Sequence, residues 1–165
     1  MPPPVLAGCT EPLVDGAPGL RGLWEVVAVE VNRTLVPRDG HRVYGMLQRI
    51  EQAGDRMVVT GGGAIHDMRC DGTAERGVND VAERDYKTKT TVVAPYGGGV
   101  HVLRPVGIPI EVTRRLGRRG DSLGLRRIHR KVAANPRDSI LRVGCTMIPE
   151  GETITSTATA FACTT

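Results

Sequence analysis

The densest group of side chains able to do chemistry is His66-Asp67-x-x-Cys70-Asp71. An imidazole titrates near neutral pH, so His66 could move a proton, ligate a metal or haem, or bind a ligand directly. If residues 56–60 and 64–69 form neighbouring strands, period-two alternation puts His66 and Met68 on one face and Ile65 and Asp67 on the other. His101 falls on a later strand and could join His66. A metal site needs three or four converging ligands. The cysteines, Cys9, Cys70, Cys145 and Cys163, form no Cys-x-x-Cys pair, so no metal site is expected and no cofactor is required. Tyr44, Tyr86 and Arg104 are further polar candidates, and a guanidinium such as that of Arg104 suits a carboxylate. Together with His66 and His101 they make the expected ligand-binding set. In an enzyme, His66 or Asp67 would be the acid or base.

Other chemistries lack their residues. Gly61-Gly62-Gly63 could cradle phosphate, but a P-loop also needs Gly-Lys-Ser/Thr opening a helix, and Ala64-Ile65-His66 follows instead. A turn or bulge is the expected role. The acids between Asp67 and Asp85 do not follow the alternate spacing of a calcium loop. No Gly-x-Ser-x-Gly nucleophile elbow is present.

The elements that must position these groups read as strands. Gly22-Leu23-Trp24-Glu25 opens a run in which Val26, Val27, Val29 and Val31 are β-branched, suited to a pleated, half-buried surface. Turn signals then recur at Asp39-Gly40, Ala53-Gly54-Asp55, Gly61-Gly62-Gly63, Asp71-Gly72, Gly97-Gly98-Gly99 and Gly117 to Gly120. Between them lie strand candidates at residues 56–60, 64–69, 87–94, 100–106, 108–116, 139–148 and 153–163. Residues 42–52 are ambiguous between strand and short helix, as are residues 123–134, where Leu125, Ile128 and Val132 have helical spacing. Residues 73–86 read as a long loop or a short strand near Val78. About eight to ten strands in up-and-down order suffice to close a barrel around a pocket.

Gly22-Leu23-Trp24 at the head of such a chain resembles the G-x-W motif on the first strand of lipocalins and related calycin barrels. The resemblance spans roughly residues 19 to 132. It implies an all-β, antiparallel up-and-down barrel with Trp24 across the closed end. It also implies a basic side chain from a late strand, Arg114 or Arg115, covering the indole, a contact that cation–π attraction favours. Some calycin-like barrels are isomerases or cyclases, which keeps an enzyme reading open. Residues 135–165 fit that pattern least. They could complete the barrel, extend it, or pair with a second copy in a homodimer.

The chain of 165 residues is expected to be one barrel domain, residues 19–165, behind a flexible proline-rich arm, residues 1–18. The net charge is only +4, but residues 114–131 carry eight Arg or Lys against Asp121 alone. That stretch could attract phosphate-rich partners, although aromatic residues amount to only 3%, too few for the stacking platforms of nucleic-acid readers. Leu6-Ala7-Gly8-Cys9 resembles a bacterial lipobox. A signal needs an apolar stretch of about 7–15 residues, so envelope anchoring through Cys9 requires a start further upstream, and a cytoplasmic location is otherwise expected. In an oxidising compartment Cys145 and Cys163 could pair.

Three functions follow from these residues. The first is binding of a hydrophobic or amphipathic small molecule inside the barrel. The second is an isomerase- or cyclase-type enzyme using His66 or Asp67. The third is an interaction protein that uses the basic stretch or an exposed strand edge.

Overall fold

The structure, a computed structural model, describes residues 1–81, 90–129 and 139–149. Its regular elements are strands: β1 (Gly22–Val31), β2 (Thr34–Leu35), β3 (Leu47–Ala53), β4 (Arg56–Gly61), β5 (Ala64–Arg69), β6 (Asp71–Val81), β7 (Thr90–Gly97), β8 (Val100–Pro105), β9 (Ile110–Leu116), β10 (Ser122–His129) and β11 (Ser139–Ile148). From β3 onward each strand pairs with the next, and β1 pairs with both β3 and β11. β2 adds only to β1, so ten of the eleven strands make the ring. The architecture is an antiparallel up-and-down β-barrel. Residues 139–148 complete the barrel: β11 pairs with β10 on one side and with β1, from Leu23↔Ile148 to Val31↔Leu141, on the other.

Both ambiguous segments contribute a strand and neither forms a helix where it is described. Residues 47–53 form β3 after a turn over residues 42–45, and β10 covers residues 122–129. The strand expected at residues 153–163 lies outside the described residues. The chain reverses near Asp71-Gly72, where the Asp71 carboxylate accepts from the Thr73 amide and hydroxyl, both at 2.8 Å, and Gly72 takes a φ of 88°. A register shift follows in the pairing of β6 with β7, between Asp71↔Pro95 and Ala74↔Val93.

β1 carries a bulge between Val26 and Ala28, opposite Cys145 and Gly144. A bulge inserts one residue and so switches the inward parity. Trp24 and Val26 point inward before it and Val29 after it, while Val27 is 46% exposed. Gly144 lets β11 pass this kink, since a Cβ there would sit 3.3 Å from that of Ala28.

Inward-facing residues build the main core: Trp24, Val29, Ile50, Met57, Met68, Ala94 and Leu123 are all nearly inaccessible. Leu20 joins them from outside β1 and caps the end where β1 begins. The Trp24 indole donates to the Leu20 carbonyl at 2.9 Å. Buried Gln52 accepts from the Leu20 amide at 2.7 Å and donates to the Pro18 carbonyl at 3.0 Å and the Tyr96 hydroxyl at 2.9 Å. The Trp24 indole and the Gln52 amide of this cap therefore have partners, as buried polar groups require.

Residues 1–18, expected to be a flexible arm, lie against the outside of the barrel. Leu6 is buried with Ala53 and Val58, and Val5, Cys9 and Ile65 pack around them. Glu51 accepts from the Val5 and Leu6 amides, at 3.3 and 2.9 Å, and Arg49 donates to the Pro2 and Pro3 carbonyls, at 2.7 and 2.8 Å. This explains why Val58, on the outward face of β4, is fully buried.

Candidate functional site

With one end capped, the barrel interior opens at the other as a cavity of about 710 Å³. Its walls are apolar: Val26, Val59, Val92, Leu103, Val112 and Leu125 contribute, with Ile108 and Ile110 at the mouth. The volume suits a small organic molecule, for which pockets of about 300–1,000 Å³ are usual. The polar side chains on the wall are Gln48, His66, Arg114 and Arg127, with the Cys145 thiol.

Alternation along two adjacent strands delivers both arginines. On β9, Ile110, Val112 and Arg114 share the inward face, and on β10 Leu125 and Arg127 do. The register pairs Arg114 with Leu125 and Val112 with Arg127. The two arginines are thus diagonal neighbours on one face, roughly 7–8 Å apart at the backbone. Arg114 is 5% exposed, and its Nη1 donates to Nδ1 of His101 at 3.2 Å. A guanidinium only donates, so His101 must carry its proton on Nε2, an atom that is buried without a partner. The Nε atoms of Arg114 and Arg127 are also buried without partners.

Burial sets the charge states. Desolvation lowers the pKa of Arg114 to about 10, which still leaves it cationic at neutral pH. His66 is lowered to about 4 and His101 to about 3, in both cases by desolvation first and then by the Arg114 charge. Both imidazoles are therefore neutral at pH 7. Cys70 is pushed up to about 12 and Cys145 to about 11, chiefly by burial, so both are protonated and unreactive thiols.

The expected ligand-binding residues are dispersed. His66 lines the cavity, on the same face as Met68 as alternation requires. His101 also points inward, in the row of Leu103, but lies below the cavity toward the capped end, fully buried, in an edge-on contact with Tyr96 at 5.8 Å between ring centroids. Tyr44 serves the loop outside β1: its hydroxyl donates to the Val36 carbonyl at 2.6 Å and accepts from the Val29 amide at 3.2 Å. Arg104 points outward and pairs with Glu111 at 2.9 Å. Tyr86 lies outside the described residues. Asp67 also faces outward, gripped at both oxygens by Arg56 at 2.9 and 2.7 Å, so it is not placed to work beside His66.

The basic stretch divides by parity. Arg114 and Arg127 turn inward, while Arg115 and Arg126 face outward and Arg118 and Arg119 sit in the turn between β9 and β10. Arg114 is the buried member of the Arg114–Arg115 pair, and the partner its guanidinium holds is His101. Arg127 was not among the expected site residues. The signal for it is present in the alternation Leu123, Leu125, Arg127, an apolar inward row that ends in a cation.

Cys145 carries a free thiol, so the expected Cys145–Cys163 pairing is not made, and Cys9 is the disulfide-bonded cysteine among the described residues. No group of three or more His, Cys, Asp or Glu side chains converges as a metal site among the described residues. No described helix is long and apolar enough to cross a membrane. The chain matches no known protein-family model, and no characterised protein matches it in sequence.

Proposed function

We propose that the protein binds a hydrophobic or amphipathic small molecule inside its barrel, in the manner of the lipocalin-like family that Gly22-Leu23-Trp24 resembles. The observation that carries this reading is the apolar cavity of about 710 Å³, capped at one end and open at the other. Burial of an apolar ligand there would release it from water at about 25 cal/mol for each Å² covered.

The test is a fluorescence titration with N-phenyl-1-naphthylamine, a neutral apolar dye that brightens when desolvated. Saturable, one-to-one binding is expected. Val112→Trp, which fills the cavity from its wall, should abolish it while the variant still melts cooperatively. A signal that never saturates and is the same in Val112→Trp contradicts the proposal.

A second reading, an enzyme on the same scaffold, is favoured by one observation: a neutral imidazole, His66, on the cavity wall. Asp67 faces away from it, so catalysis would rest on His66 alone. A binder loses only affinity in His66→Ala, whereas an enzyme loses turnover.

A further inference from the structure

We propose that the recognised end of the ligand is an oxyanion, a carboxylate or its equivalent, seated between Arg114 and Arg127 with its apolar body filling the rest of the cavity. This rests on the reading of the barrel as a small-molecule binder and narrows it to a ligand class.

The argument begins with charge. Both guanidinium groups face an apolar interior from diagonal positions on β9 and β10. Among the described residues the ion pairs of the barrel are on its outside: Arg38–Glu25, Arg49–Glu51, Arg56–Asp67, Arg69–Asp55, Arg104–Glu111 and Arg142–Glu30. None reaches Arg114 or Arg127, and among the described residues no Asp or Glu lines the cavity. Among the described residues, the side-chain acceptor that Arg114 holds is the neutral His101. Buried charge without a counter-charge is costly, and two like charges side by side raise that cost. An entering anion would supply both the missing charge and acceptors for donors that now have none, among them the two buried Nε–H groups.

Geometry adds to this. A guanidinium offers a planar fork of donors that matches the two oxygens of a carboxylate. Two forks from neighbouring strands can hold one headgroup from two directions. His66, neutral, lines the same cavity from β5, close enough to feel the Arg114 charge, and can donate a further hydrogen bond without adding charge. Beyond these groups and Gln48, the wall is apolar toward Ile108 and Ile110 at the mouth. The site thus asks for a molecule with one anionic end and an apolar body. A small polar dianion would leave the apolar walls uncovered, and a neutral lipid would leave both cations unpaired.

The experiment displaces N-phenyl-1-naphthylamine from the full-length protein at pH 7.5 with dodecanoate, dodecanol and dodecyltrimethylammonium, which share one chain and differ in headgroup charge. Dodecanoate is expected to displace the dye at least about tenfold more effectively than dodecanol, and the cation least, as a charge-assisted, bidentate contact implies. In Arg127→Met the ratio of acid to alcohol should fall toward one. Arg127→Lys, which keeps the charge without the fork, should lie between. Equal displacement by acid and alcohol in the wild type overturns the anion proposal and leaves the pocket standing, as does an unchanged ratio in Arg127→Met. If the dye itself fails to bind, the pocket reading falls and this proposal falls with it.

Discussion

Buried Arg114 and half-buried Arg127 are the side chains whose inward placement most needs an explanation, because a cation facing Val112, Leu125 and Leu103 gives up hydration without gaining a counter-ion among the described residues. A group kept for binding at a cost to the empty fold shows that cost when it is removed. Arg127→Met should leave the free energy of unfolding in urea unchanged or raise it by about 1 kcal/mol, since an apolar side chain of similar length loses nothing on burial. A loss of more than about 1 kcal/mol would assign Arg127 a structural role instead. The histidines set the pH response. His66 and His101 have folded pKa values of about 4 and about 3, below the ordinary 6.5. The unfolded chain therefore binds protons first as pH falls, and stability present above pH 6.5 is lost progressively toward pH 4 and below. The melting temperature should be lower at pH 4.5 than at pH 7.5, by a smaller margin in His66→Gln, as followed by circular dichroism. Equal slopes in the two proteins would contradict this origin. At this scale the sequence was legible where alternation was regular. The inward His66 follows from period two on β5, whereas Arg104 was read as a pocket residue because its strand, not its parity, was visible. Parity sends Arg104 out to Glu111, and it sends Arg127 in.

At the scale of elements, strand existence was readable because turn residues punctuate the chain at almost every reversal. Residues 139–148 coincide with β11. The bulge at Val26–Ala28 was not readable: three valines within four residues give no sign of which is extra, and the answer depends on pairing with Cys145 and Gly144, far away in sequence. The docking of the arm was hidden for a similar reason. Prolines mark a segment as irregular but do not say what it covers, and the signal is long-range: Leu6 beside Val58 and Glu51 beneath two arm amides. Leu6→Ala should cost about 2 kcal/mol, at the low end for a buried leucine because the cluster is small and peripheral, measured by urea unfolding. Glu51→Gln should weaken the same attachment by removing a charged acceptor, seen as faster proteolysis within residues 1–18. Wild-type rates of cleavage in both variants would mean that the arm does not stabilise the barrel.

Among the described residues of the barrel, apolar side chains predominate inside and ion pairs lie on the outer face, where Arg56–Asp67, Arg104–Glu111 and Arg142–Glu30 join neighbouring strands. This is the reverse of a membrane-spanning barrel, whose apolar band faces outward. The basic stretch had suggested an outward patch for a phosphate-rich partner. The fold divides it, and its two inward members, Arg114 and Arg127, give the cavity its sign. The G-x-W resemblance led to an up-and-down barrel, which β11 closes against β1. What fills the interior depends on contacts that only the assembled ring creates. Native mass spectrometry of the protein purified from its own host, run beside a denatured sample, tests the central claim most directly. The expected result is a non-covalent occupant of a few hundred daltons, released on denaturation and detected as an anion. A folded protein that carries no such mass, and acquires none when mixed with dodecanoate, would contradict the account.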